Sequence, residues 1–236
     1  MFLATAASVG HRIKRPEFVD NYFTSSYGNV TVNPTSVLSD LQSGDMLIVC
    51  STVSYSSGSY PNVPVSTTGG PSWTNLVNVF SSDTNDSWTR VSYAVHNGNS
   101  YSINLNSSYF TNIHQVLAFR TVSTITTINS GSSSSTAYVF FPTITPGYSL
   151  SDDGVLQLGG GGQYRASTLG TYPDPGVYDT FASYVGGVGV YDSGTVGFGF
   201  YEPGSFTTNI PSVSWSGAAY NNSRSSTFDI TLRLQK

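Results

Sequence analysis

Residues 227–234, TFDITLRL, alternate without a break: Phe228, Ile230, Leu232 and Leu234 on one side, Thr227, Asp229, Thr231 and Arg233 on the other. A repeat of two is the spacing of a half-buried β-strand, because successive side chains leave a strand on opposite faces. RVSYAV (90–95) sets Val91, Tyr93 and Val95 against Arg90, Ser92 and Ala94, and TVGFGF (195–200) sets Val196, Phe198 and Phe200 against glycines. Turn signals stand between such runs: GG at 69–70, NG at 97–98, DPG at 174–176 and EPG at 202–204. No stretch carries a convincing amphipathic helix; SVLSDLQSGD (36–45) has room for one turn. Many short strands with regular turns predict an all-β fold, a β-sandwich, jelly roll or barrel.

The most strand-like run, SGDMLIVC (43–50), has a looser copy in SDDGVLQLGG (151–160). After the first come a Pro/Gly-rich loop, a strand near Trp73, RVSYAV, YSINL and QVLAFR; after the second come a Gly/Pro-rich loop, a strand near Tyr178, TVGFGF, SVSW and ITLRL. Each series closes on an arginine, Arg120 or Arg233. The offset of about 105–115 residues suits a sandwich-sized unit and is too long for a solenoid repeat. The expected organisation is an N-terminal basic arm (1–20) and two related antiparallel lobes (21–124 and 125–236). TVSTITTINSGSSSSTAYVF, with a serine-rich loop at 130–135, is read as the link.

Only 9% of the 236 residues are charged, against about 25% in ordinary domains. Lysine occurs only at positions 14 and 236, so the usual guard on exposed sheet edges is thin. Hydroxyls and amides are easier to bury than charges, because a hydrogen bond satisfies them. Such a surface points to assembly, with other proteins or as a homo-oligomer. A net charge of −4 argues against nucleic-acid binding by the lobes; the exception in charge is HRIKR (11–15). No apolar run reaches the ~18 residues of a membrane span. MFLATAASVG at the start lacks a basic n-region, so synthesis in the cytoplasm is expected. Cys50 is the single cysteine, which excludes an intrachain disulfide and reads as a small core residue.

Candidate chemistry is sparse. His11, His96 and His114 lack metal-ligand spacing, and the last two read as surface or edge residues. No GxSxG or HExxH motif is present. LGGGGQYR (158–165) lacks the Lys-Ser/Thr ending of a phosphate loop and reads as a flexible loop or bulge. Asp83, Asp86, Asp152 and Asp153 fit turns better than a spaced calcium loop; Glu202 and Asp179 could in principle pair in a glycosidase, but sequence alone does not bring their carboxylates face to face. No catalytic residue, cofactor or metal site is expected. Tyr55 and Tyr60, in the loop SYSSGSYP, are candidates for a stacking surface or a tyrosine-rich interface.

GDMLIV (44–49), Trp73 with Leu76, VSYAV before a glycine-containing turn (91–98) and LAFR (117–120), in this order, resemble β-sandwich structural proteins of tailed bacteriophages of aquatic bacteria. The resemblance spans about residues 40–236 and implies a virion protein. Capsid decoration (cement) is the first expectation. A tail-fibre or tail-tip protein that recognises host glycans is the second, and a polysaccharide depolymerase the third. The basic arm lies outside the resemblance. Its Phe2, Leu3, Arg12, Lys14 and Arg15 are the expected partner-binding residues, together with Tyr55 and Tyr60.

Overall fold

The computed structural model describes residues 16–27, 29–54, 62–80, 87–105, 111–133, 138–141, 155–164, 166–169, 180–186, 194–201, 213–219 and 225–234. These form sixteen strands and one helical turn, so the chain is all-β, with its sheets antiparallel throughout. In the first half the strands are β1 (Glu17–Tyr27), β2 (Val30–Val32), β3 (Met46–Ser54), β4 (Val65–Ser66), β5 (Thr74–Phe80), β6 (Ser87–Val95), β7 (Ile103–Leu105) and β8 (Thr111–Arg120). In the second they are β9 (Val122–Ser133), β10 (Tyr138–Phe141), β11 (Val155–Tyr164), β12 (Ala166–Leu169), β13 (Thr180–Gly186), β14 (Gly194–Tyr201), β15 (Val213–Ala219) and β16 (Ser225–Leu234).

The first half makes a five-stranded sheet, β1-β8-β3-β6-β5, and a three-stranded sheet, β2-β7-β4. The second makes sheets of the same sizes, β9-β16-β11-β14-β13 and β10-β15-β12. Adding eight to every strand number of the first half reproduces the second. Within each half the first strand pairs with the eighth, the second with the seventh and the third with the sixth, so the outer strands enclose the inner ones. Corresponding strands begin between 101 residues apart (Val65 and Ala166) and 114 apart (Thr111 and Ser225).

The two five-stranded sheets stack on each other, with β11 and β14 against β3, and β16 against β5 and β6. The order of layers is therefore three, five, five and three strands. This explains why MLIVC is apolar without alternation: β3 has a buried neighbour on both sides. Met46, Ile48 and Cys50 join Val91, Leu117, Phe119 and Val122 in the core between the large sheets. Leu47 and Val49 join Val32, Tyr101, Ile103, Leu105 and Val116 in the core under the small sheet. Leu47, Ile48, Leu117 and Phe119 have no exposed surface, and at about 25 cal/mol per Å2 the burial of each such side chain contributes roughly 1.5–3 kcal/mol. Ile125, which pairs with Leu232 across β9 and β16, packs on the first of these cores.

Four sequence readings are corrected by the structure. Gly159–Gly162 lie inside β11, paired on one side with β14 (Gly159 with Gly199, Gly161 with Gly197) and on the other with β16. They are neither a loop nor a bulge. Four consecutive glycines leave no side chain on either face, and Cα atoms of β11 and β14 come within 8 Å of β3, closer than the ~10 Å usual between stacked sheets. Residues 122–133, read as part of a linker, form edge strand β9, and Thr121 alone separates β8 from β9. The helical turn falls at Pro34–Val37, where the Asn33 side chain accepts the Thr35 amide and Pro34 stands in the first turn. β1 begins at Glu17, within the stretch read as arm, and β9 at Val122, within the stretch read as first lobe.

Candidate functional site

The residues first nominated for partner binding, Phe2, Leu3, Arg12, Lys14, Arg15, Tyr55 and Tyr60, lie outside the described residues. So do Asp83, Asp86, Asp152, Asp153, Asp179, Glu202 and His11. The site that the structure does build stands at one end of the first half, where β3 starts, β6 and β8 end, and three turns converge.

Each turn uses a glycine at positive φ: Gly44 (95°), Gly69 (87°) and Gly98 (83°). Only glycine takes this conformation without a steric cost. Amide side chains then tie the turns together. Asn97 and Asn99 donate from Nδ2 to the Gly69 carbonyl at 2.7 and 3.1 Å, and the Asn99 amide donates to Asn97 Oδ1 at 3.1 Å. The Thr67 amide donates to the Ser102 carbonyl at 2.8 Å, and the Ser102 amide returns to Thr67 Oγ1 at 3.0 Å. Gly70 is wedged so closely that a Cβ there would stand 2.5 Å from Ser66 Cβ and 2.8 Å from the Tyr101 ring.

Beneath the turns lies a polar floor. Asp45 is buried; its carboxylate accepts the Gln42 amide at 2.8 Å and two bonds from Arg120, Nε to Oδ1 and Nη2 to Oδ2, both at 3.0 Å. Those bonds raise the Arg120 pKa above its ordinary value. His96 Nδ1 lies 3.0 Å from the Tyr101 hydroxyl, and the His96 amide donates to the Asp45 carbonyl at 2.8 Å. Burial lowers the His96 pKa, with the Asp45 charge opposing, and burial pushes Tyr101 up to about 12. His96 is thus a buried strut and not the surface residue expected from sequence.

His114 also departs from expectation. β8 starts at Thr111, so His114 is interior to a strand flanked by β1 and β3, and is 1% exposed. Its Nδ1 is 2.8 Å from Ser51 Oγ. Burial depresses its pKa to about 4, which keeps the ring neutral at physiological pH. A neutral imidazole beside a serine hydroxyl is the pairing that activates nucleophiles. Here Ser51 is 2% exposed, so this geometry gives no approach to a substrate and serves as a cross-strand hydrogen bond. Among the described residues no group of three or more His, Cys, Asp or Glu is placed to hold a metal ion, and no helix is long and apolar enough to cross a membrane.

Above this floor the surface is neutral. Of the exposed residues described, Glu17 and Asp40 alone are charged, and none is cationic. Ser, Thr, Asn and Gln dominate the rest, with Val65 and Val95 as exposed apolar side chains. Seven of the eight edge strands, all but β1, contain no charged residue. The edges of the first large sheet are protected by bulges, at Val19 in β1 and Leu76 in β5, and those of its small sheet by shortness. Both are recognised substitutes for lysine. Tested against protein-family models, curated proteins and solved structures, the chain matches none.

Proposed function

We propose that the protein is a non-enzymatic structural component of a bacteriophage virion, a capsid decoration protein that contacts neighbouring subunits. The observation that carries this reading is the described surface: among the exposed residues described, two carboxylates and no cation, and a field of hydroxyl and amide groups around turns tied by the Asn97–Gly69 bond. A soluble domain that works alone ordinarily has about 25–35% charged residues on its surface. A neutral surface forfeits that protection and loses little on desolvation when covered, because each hydroxyl or amide finds a partner. Rigid turns lower the ordering cost of binding. The enclosing strand order fits a jelly-roll-like winding, and the resemblance of GDMLIV, VSYAV and LAFR to phage structural proteins supplies the class of assembly.

In this reading Phe2 and Leu3 anchor the chain on a neighbouring subunit, while Arg12, Lys14 and Arg15 speed the encounter. Burying a Phe or Leu contributes about 1.5–3 kcal/mol and an exposed ion pair about 0–1. The test is immunogold labelling with mass spectrometry of virions that encode the chain. Label over the shell supports decoration; label at the tail tip, with glycan binding, transfers the protein to the fibre class; absence from the virion overturns the proposal. Release of reducing ends from host polysaccharide would overturn the non-enzymatic part.

A further inference from the structure

We infer that the two halves are copies of one eight-stranded unit, and that the chain self-assembles by exchanging these halves between molecules about a hinge at Thr121. Three observations meet here. The first is the strand order, which repeats in both sheets with every number raised by eight.

The second is reciprocal packing between the large sheets. β6 lies on β11, as its counterpart β14 lies on β3. β6 also lies on β16, as β14 lies on β8, and β3 meets its own counterpart β11; edge strand β5, which packs on β9 and β16, has no comparable match in β13 against β1 or β8, so the exchange holds for the inner strands. Contacts that come in such exchanged pairs define an isologous face, the kind that joins two identical subunits about a two-fold axis. The face on the first half is Met46, Ile48, Cys50, Val91, Leu117 and Phe119. It fits the second half of its own chain and equally the second half of another copy.

The third is the connection. β8 ends at Arg120 in one large sheet, and β9 starts at Val122 at the edge of the other. Thr121 makes the whole turn at φ 60°. A β-branched residue in the left-handed region is strained, and its side chain bonds locally, Oγ1 donating to the Arg120 carbonyl at 2.6 Å. A short, strained hinge between two self-complementary units is the condition that favours domain swapping. If Thr121 relaxes to an extended conformation, β8 and β9 run on as one strand. The second half then docks on a different molecule with every sheet-to-sheet contact retained.

The test is to unfold and refold the full-length wild type, Thr121→Gly and Thr121→Pro over a concentration series, and to follow mass by light scattering. The wild-type dimer, at twice 25.2 kDa, is expected to grow with refolding concentration and to persist for hours after dilution, since exchange requires the halves to separate. Thr121→Gly, which relieves the strain, should lower the dimer-to-monomer ratio about tenfold. Thr121→Pro cannot take positive φ and should raise it. A wild-type dimer that falls apart within seconds of dilution is an edge contact and overturns the inference, as does a Thr121→Gly protein with the wild-type distribution. If Thr121→Pro does not fold, the wild-type and glycine series decide the matter alone.

Discussion

Arg120 Nε and Nη2 each stand 3.0 Å from a different oxygen of the Asp45 carboxylate, and this fork locks the end of β8 to the start of β3. The same Nη2 donates to the Asp40 carbonyl at 2.6 Å. One guanidinium therefore closes the 40–45 turn on which the neutral surface rests. The geometry is specific to arginine, whose planar donors match both carboxylate oxygens.

Asp45→Asn should cost about 2–4 kcal/mol in urea unfolding, because it leaves an arginine facing a neutral group in a mostly buried setting. The Arg120 side chain is 26% exposed, so the loss should fall short of a fully buried pair. In a double-mutant cycle with Arg120→Gln the two losses should be coupled by about 1–3 kcal/mol. Additive losses would show that the fork contributes nothing beyond its separate residues.

Gly70→Ala should destabilise the protein by about 1–3 kcal/mol, the usual range for forcing a methyl into filled space. The new Cβ meets Ser66 and the Tyr101 ring, and Ser66 Oγ accepts the Trp73 indole N–H at 2.9 Å. Trp73 fluorescence should change with stability, since the displaced serine carries that bond. A variant that melts with the wild type and keeps its emission would mean the turn yields freely.

The all-β fold was legible because RVSYAV and TFDITLRL alternate, and alternation has few other causes. MLIVC showed a strand but not its setting: an unbroken apolar run marks burial on both faces, and which sheets cover it is a tertiary fact. The glycines at 159–162 misled because glycine in isolation disfavours strands; pairing on both sides, with β14 and β16, overrides that preference. His114 misled because its neighbours NIH look like the polar start of a strand, while the pairing with β1 continues to Thr111. The NG and GG pairs announced turns. Nothing in them announced that Asn97 reaches the carbonyl of Gly69, twenty-eight residues earlier.

Cys50 should be inert in the folded protein. It is buried between the large sheets, and burial raises its thiol pKa above the ordinary value, so the reactive thiolate is suppressed. An aromatic disulfide reagent should titrate one thiol in denaturant and none over minutes in native buffer. Native labelling within seconds would mean that the sheets separate readily, a result that bears directly on the Thr121 hinge.

Stability should decline as pH falls from about 6.5 towards 4, and His114 should account for much of the decline. Its folded pKa, about 4, lies below the ordinary 6.5 because the buried ring loses hydration on charging. Above pH 6.5 the ring is neutral in both states and its contribution is fully present. Between 6.5 and 4 the unfolded chain takes up a proton that the folded chain refuses, so acid favours unfolding. Integrated over that window the loss is about 3 kcal/mol, at ~1.4 kcal/mol per pKa unit. The lowered pKa of His96 acts in the same direction. His114→Gln, which retains a hydrogen-bonding group near Ser51, should be less stable at pH 7.5 yet show a flatter profile between pH 6.5 and 4.5. The measurement is the urea midpoint of both proteins at half-unit steps of pH. Parallel profiles would show that His114 is protonated in the folded state over this range and that its burial is not what acid opposes.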